Sequence, residues 1–298
     1  MNAPTLKFEQ LGLIGCGLMG GSFALALKKA GLVKRVVGYS KSPSTTERAR
    51  QMGVIDIEAP SALLAVSGAD LVLLAVPVSA TEATFKAIRH LLSKDTLVMD
   101  VGSTKRDVID AARRVLKDQV GVFVPAHPIA GKELAGVENA DPELYYGRQV
   151  ILTPIERTEP VQLAKATRLW TALGCQVQTM APEAHDAAYA AVSHLPHMIA
   201  FALMNAIADQ EHGKEFLSLA GPGFRDFTRI AASDPSVWRD ILVSNREELI
   251  AQSRLFQRAL RAFEAAIADG NPDAVEALVD KASQARSRWR MNANKPHG

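Results

Sequence analysis

Residues 11–21 read Leu-Gly-Leu-Ile-Gly-Cys-Gly-Leu-Met-Gly-Gly, and they constrain the fold of this chain more than any other stretch. Residues 8–14 are mostly apolar, as in a strand buried on both faces. Then comes Gly15-x-Gly17-x-x-Gly20, followed over residues 22–30 by an Ala-rich stretch of helical character. Strand, glycine turn and helix in that order are the context a dinucleotide fingerprint requires. Gly15 permits the tight turn, Gly17 lets a pyrophosphate approach the backbone, and Gly20 lets helix and strand pack closely. Leu18 and Met19 open the helix, where unpaired N–H groups face the phosphates. A glycine triplet alone also fits a structural turn; the flanking strand and helix favour dinucleotide binding.

The second strand, residues 35–39, runs into Ser40-Lys41-Ser42-Pro43-Ser44-Thr45 with no carboxylate at its end. An Asp or Glu at that place holds a ribose 2′-OH. Ser40, Lys41, Ser42 and Thr45 offer hydroxyls and a cation instead, which suit a 2′-phosphate. The expected cofactor is therefore NADP in preference to NAD. Further strands are expected over 70–76, 96–101, 120–125, 149–153 and 176–179, alternating with helices. This pattern indicates an α/β Rossmann-type domain, a mostly parallel sheet with helices on both faces. Ligands bind beyond the carboxyl ends of such strands. Ala75, Val76 and Pro77, and Gly102 with Ser103, are expected to face the cofactor there. Ser103 or Thr104 is the expected cap of the next helix.

After residue 181 no convincing strand appears, and an all-α domain is expected. The boundary is placed near 180, giving a dinucleotide-binding domain over 1–180 and a helical substrate-binding and dimerisation domain over 181–298. Several of its helices are apolar on more than one face, which implies a homodimer formed through this domain. The formal net charge of +2 gives no bias toward nucleic acid or a membrane surface. No apolar run reaches the roughly 20 residues of a spanning helix, and residues 1–10 carry no signal-peptide pattern. Cys16 and Cys175 make no disulfide framework, so free thiols and a cytoplasmic location are expected.

Three segments can carry chemistry. In Pro125-Ala126-His127-Pro128-Ile129-Ala130-Gly131, His127 follows a strand on the ligand side of the sheet and can accept a proton near neutral pH. A packed structural histidine bonded to backbone fits the same position. In Ser193-His194-Leu195-Pro196-His197 the histidines share a helix face, and Pro196 should disturb the local hydrogen bonding. Catalytic zinc needs three protein ligands; no matching cluster is visible, and no metal is expected. In Gly221-Pro222-Gly223-Phe224-Arg225-Asp226-Phe227-Thr228-Arg229, the guanidinium groups of Arg225 and Arg229 share a face and suit a carboxylate clamp. Surface ion pairing is the alternative.

Together these motifs resemble the prephenate and arogenate (cyclohexadienyl) dehydrogenases of tyrosine biosynthesis. The matching stretches are residues 15–22, Asp100-Val101-Gly102-Ser103-Thr104-Lys105, residues 127–131, Ser193-His194-Leu195-Pro196-His197, and residues 223–231 through Asp234-Pro235 and Trp238. The resemblance implies a small dianionic substrate, a cyclohexadienol that loses hydride from C4 and CO2 from the ring. It implies His127 as the base on the 4-hydroxyl, with Ser103 sharing that hydrogen bond. Arg229 would bind a substrate carboxylate, and His197 would lie near the side-chain end. Glu133 and Asp226 would gate access, with Asp226 paired to Arg229, and Trp238 would reach toward the partner's site. No acid stands in residues 193–201 to meet an ammonium, which favours prephenate over arogenate. Neither a fused chorismate mutase before Leu11 nor an ACT domain after about residue 285 is expected. The β-hydroxyacid dehydrogenases share a similar layout but use a helix-borne Lys, and residues 183–213 contain none.

Overall fold

The first element is the strand the apolar run implied. In the computed structural model, which describes residues 6–132 and 134–289, β1 (Phe8–Ile14) is followed by α1 (Leu18–Lys29), β2 (Val33–Tyr39), α2 (Pro43–Gln51), β3 (Ile57–Glu58), α3 (Ala62–Val66), β4 (Leu71–Leu74), α4 (Thr81–Ile88), β5 (Leu97–Asp100), α5 (Arg106–Leu116) and β6 (Phe123–Val124). The six strands form one parallel sheet in the order β3-β2-β1-β4-β5-β6. Successive side chains alternate between its two faces. Leu11, Leu13, Leu71, Leu73, Leu97 and Met99 join Phe23, Leu27 and Trp170 in one core. Ile14, Val72, Leu74 and Val98 join Phe85, Ile88 and Ile109 in the other. Chain order reverses between β1 and β4, which opens a crevice at their carboxyl ends.

The later strands do not extend this sheet. β7 (Ala126–Pro128), β8 (Gln149–Leu152) and β9 (Gln176–Thr179) form a second, three-stranded sheet, with β7 antiparallel to β8 and α6 (Pro160–Ala172) between β8 and β9. Pro125 separates β6 from β7 and has no N–H to continue the ladder. Residues expected to start a strand at 120 lie instead in the 3₁₀ turn Lys117–Val122.

The helical part begins with α7 (Pro182–Tyr189), a π turn over Ala190–His194 and α8 (Leu195–Ala208). Pro196 cannot donate to the carbonyl one turn earlier, and the widened turn lies just before it. By length and mean hydropathy, Pro182–Ala208 passes for a membrane span, contrary to expectation, and 17% of its most apolar window is buried in the chain. Interleaved Ala residues carry that hydropathy without an unbroken apolar run. Then come α9 (Gly213–Ser218), α10 (Pro222–Thr228), α11 (Pro235–Ser244), α12 (Arg246–Ala268) and α13 (Pro272–Arg288). Contacts gather the chain through Asn245 into one unit and the chain from Arg246 into another.

Candidate active site

The nucleotide crevice is built from β1, the glycine turn and the end of β4. Gly15 has φ of +96°, and a Cβ there would sit 2.1 Å from the Ala75 carbonyl oxygen. Only glycine fits so close an approach with that backbone. A Cβ on Gly20 would meet the Gly15 oxygen at 2.0 Å, so the helix lies hard against the turn. Gly17 is the N-cap of α1, with open space where its Cβ would be. Among the described residues no side chain caps α1, and no acid occupies its first turn. Its free N–H groups and positive end fit a pyrophosphate. Ala75, Val76 and Pro77 follow β4 beside this turn.

At the end of β2, the Ser40 hydroxyl accepts from the Cys16 N–H at 2.8 Å, which ties the two loops together. Lys41 and Ser42 are exposed, Thr45 is half-buried, and Ser42 begins α2. Buried Thr46 holds the Ser40 N–H at 3.1 Å, an anchor that sequence reasoning missed. Glu58 on β3 stands opposite Gly38 in register, an acid hidden from sequence reading by its distance along the chain.

Beside the crevice, one buried carboxylate organises two segments. Asp100 accepts from the Gly102 N–H at 2.9 Å and the Ala126 N–H at 3.0 Å, which fixes the backbone next to Ser103 and next to His127. The ammonium of Lys105, with no exposed side-chain surface, contacts Asp100 at 2.5 Å and donates to the Ala126 carbonyl at 2.7 Å. Burial pushes the Lys105 pKa down, opposed by the Asp100 charge. Both polar backbone groups of Ala126 are therefore held by one ion pair.

His127 stands on β7, opposite Ile151 on β8. Its Nδ1 lies 2.8 Å from Nε2 of His185, whose Nδ1 lies 2.7 Å from Oδ1 of Asp186. Asp186 also accepts from the backbone N–H groups of Lys105 and Arg106, each at 2.9 Å. This carboxylate, not Ser103 or Thr104, caps α5, because α7 delivers a charged acceptor to the bare helix end. Burial, with the charges of His185 and Lys105, holds the His127 pKa well below its ordinary value of 6.5. Burial also lowers His185, against the bond to Asp186. Burial would raise Asp186, but bonds from His185 and two backbone amides outweigh it.

A continuous series of contacts leads on from Asp186 to His197. Asn245 donates to the Asp186 carbonyl at 2.8 Å and lies 3.0 Å from Nδ1 of His194. His194 is buried, its pKa pushed down to about 4 by burial, and its Nε2 has no hydrogen-bond partner among the described residues. Its ring meets Trp238 edge-on at 6.2 Å, and Trp238 stacks on His197 at 3.6 Å. His197 Nδ1 bonds the Ser193 carbonyl at 2.9 Å. Arg229 is exposed and close enough for its charge to disfavour protonation of His197. Arg225 pairs at 3.2 Å with Asp226, its chain neighbour. Asp226, expected to pair with Arg229, meets its chain neighbour Arg225 on the exposed face of α10 instead. Glu133 lies outside the described residues. Ser79, just past Pro77, donates to the Asp240 carboxylate on α11. Asp100, Lys105, His185, Asp186 and Asn245 escaped sequence reasoning as site residues, although the first two lay within a quoted motif.

A 3-2-1-4-5-6 parallel sheet with an open glycine turn, followed by helices that carry polar side chains to its carboxyl edge, defines a two-part dinucleotide-binding protein. Residues 23–179 match the family described as prephenate dehydrogenase, nucleotide-binding domain, and residues 181–281 match prephenate dehydrogenase, dimerization domain. The chain is 37% identical over 244 residues to the prephenate dehydrogenase of Bacillus subtilis, covering 80% of this chain and 64% of that relative. It is 35% identical to the cyclohexadienyl dehydrogenase of Zymomonas mobilis, over 89% of this chain and 91% of the relative. It is also similar to the crystal structure of A. aeolicus prephenate dehydrogenase in complex with hydroxyphenyl propionate and NAD+, with TM-score 0.88, 34% identity, and 95% and 99% of the two chains covered. The chain belongs to the prephenate dehydrogenase family.

The Asp100–Lys105 pair makes a direct prediction. Lys105→Met leaves a buried carboxylate without its cation, and urea unfolding should show a loss of about 3–5 kcal/mol.

Proposed function

We propose that this chain catalyses the oxidative decarboxylation of prephenate to 4-hydroxyphenylpyruvate with a pyridine nucleotide, a step of L-tyrosine formation. The observation that carries this reading is the Asp100 carboxylate, which joins the Ser103 turn to the His127 strand at the crevice where a nicotinamide would lie. Gly15, Gly17, Leu18, Met19 and Gly20 would hold the pyrophosphate, and Ala75, Val76, Pro77 and Gly102 the nicotinamide end. The bound oxidised nicotinamide would supply the hydride acceptor for C4.

His127 Nε2 accepts the 4-hydroxyl proton as hydride departs, and Ser103 orients the same oxygen. Arg229 binds a substrate carboxylate, while His197, stacked on Trp238, lines the side-chain end. Loss of ring carboxylate as CO2 sends its bonding pair into the ring, and aromatisation makes the step effectively irreversible. The oxygen then recovers its proton, so the base only borrows it. This economy suits a buried imidazole, which needs no route for proton release.

The relative from Zymomonas mobilis favours a second reading, a cyclohexadienyl dehydrogenase that also takes arogenate. Residues 193–201 place no carboxylate to meet an ammonium, which supports prephenate first. The hydroxyls of Ser40, Ser42 and Thr45 with Lys41 support NADP over NAD. The division at residue 180 coincides with the gap between the two matched family segments. The apolar surface of α7 and α8 supports a homodimer seam, not a bilayer, since it lies within the matched dimerization domain. Buried free thiols at Cys16 and Cys175 suit a reducing cytoplasm.

His127→Ala should lower kcat by about 10²–10⁴-fold, read in a steady-state assay of nucleotide reduction. Arg229→Ala should chiefly raise KM for prephenate, and an unchanged KM removes it from the clamp. An initial-rate matrix of prephenate or arogenate against NAD or NADP should give its highest kcat/KM with prephenate and NADP; a strong arogenate preference overturns the substrate order.

A further inference from the structure

We propose that His185 and Asp186 form a relay that holds His127 in one tautomer, with Nδ1 protonated and Nε2 bare, and that shares the charge of the borrowed proton. The proposal rests on the reading of His127 as the base. Its orienting part stands on the side-chain geometry alone.

The tautomers follow from donor and acceptor rules. An ionised carboxylate only accepts, and Asp186 already receives two backbone N–H bonds, so it stays ionised. His185 Nδ1, at 2.7 Å from it, must carry a proton. In neutral His185 the other nitrogen, Nε2, is then a bare acceptor. It lies 2.8 Å from His127 Nδ1, which must therefore be the donor. That leaves Nε2 of neutral His127 as the lone pair. The same logic governs a histidine oriented by a buried aspartate in hydrolases, with a second imidazole inserted here.

The charges around the pair favour this state. Lys105 of α5 and the His194 side chain of the π turn disfavour added positive charge on His127, while Asp100 of β5 and Asp186 of α7 oppose them at His185. The Tyr189 ring packs against both imidazoles, at 4.7 Å from His127 and 4.5 Å from His185, and limits ring rotation. When the substrate O–H bond breaks and the His127 Nε2–H bond forms, the Nδ1 proton can pass to His185 Nε2. The cation then rests on His185 against Asp186. As CO2 departs and the phenolate takes its proton back from His127 Nε2, the His185 proton returns to His127 Nδ1. No proton is gained or lost over the cycle.

Two measurements on the full chain test this. The first is ¹⁵N NMR of histidine-labelled protein without ligands at neutral pH, with His127 assigned from the peaks lost in His127→Gln. Protonated and bare ring nitrogens resonate far apart. A protonated Nδ1 and bare Nε2 are expected, and the opposite tautomer overturns the proposal whatever the substrate. The second compares His185→Leu with His185→Gln, whose amide can donate to Asp186 and accept from His127 but cannot take up a proton. His185→Leu should lower kcat by about 10²–10⁴-fold with little change in KM and should move the acid limb of kcat/KM. His185→Gln should restore part of kcat. Parental kcat and pH profile in His185→Leu overturn the relay, as does a loss in both variants that tracks weakened nucleotide binding. Full turnover in His127→Ala instead removes the base itself, so the two failures are separable.

Discussion

The buried contact between Asp100 and Lys105 is the constraint on which the site depends. A carboxylate and an ammonium out of water are costly unless their remaining hydrogen-bonding capacity is filled. Here the filling groups are the Gly102 N–H and both polar groups of Ala126. The desolvation cost is thereby offset by fixing the two backbone segments that present Ser103 and His127. An apolar pair of similar volume could pack the space. It could not hold two segments from different sheets in register at three defined points.

A second buried carboxylate extends the same principle. Asp186 caps α5 through two amides and orients His185 with the same group. The helix that begins just after Ser103 and the imidazole behind His127 thus share one anchor. Buried histidines kept neutral by their surroundings make the interior responsive to acid. His127, His185 and His194 all have lowered pKa values in the folded chain. The unfolded chain binds more protons below the ordinary value of 6.5, so stability declines as pH falls through that region.

Much of this was legible in the sequence. The apolar run of β1, the glycine spacing and the strand–helix alternation are local signals, and they specified the parallel sheet. His127, Ser103, His197 and Arg229 stood out by residue type and motif. What escaped was non-local. Nothing near residue 103 announces that the cap of its helix comes from residue 186. Asp100 at a strand end and Lys105 at a helix start show no sign of their pairing until the fold brings Ala126 against them. Pro125 marked a break, but its consequence, a second sheet, depended on β7 pairing with β8, whose partner residues Val150, Ile151 and Leu152 lie far along the chain. The Asp226 contact was also missed, since its partner on α10 is the adjacent Arg225 and not the residue three positions on.

The bond between Ser79 and Asp240 has a mechanical meaning. Ser79 sits at the lip of the crevice just past Pro77, and Asp240 lies two residues after Trp238, whose indole backs His197. A single hydroxyl thus tethers the rim of the nucleotide crevice to the helix that carries the indole stacked on His197. The turn after β4 and α11 therefore cannot part without breaking that bond.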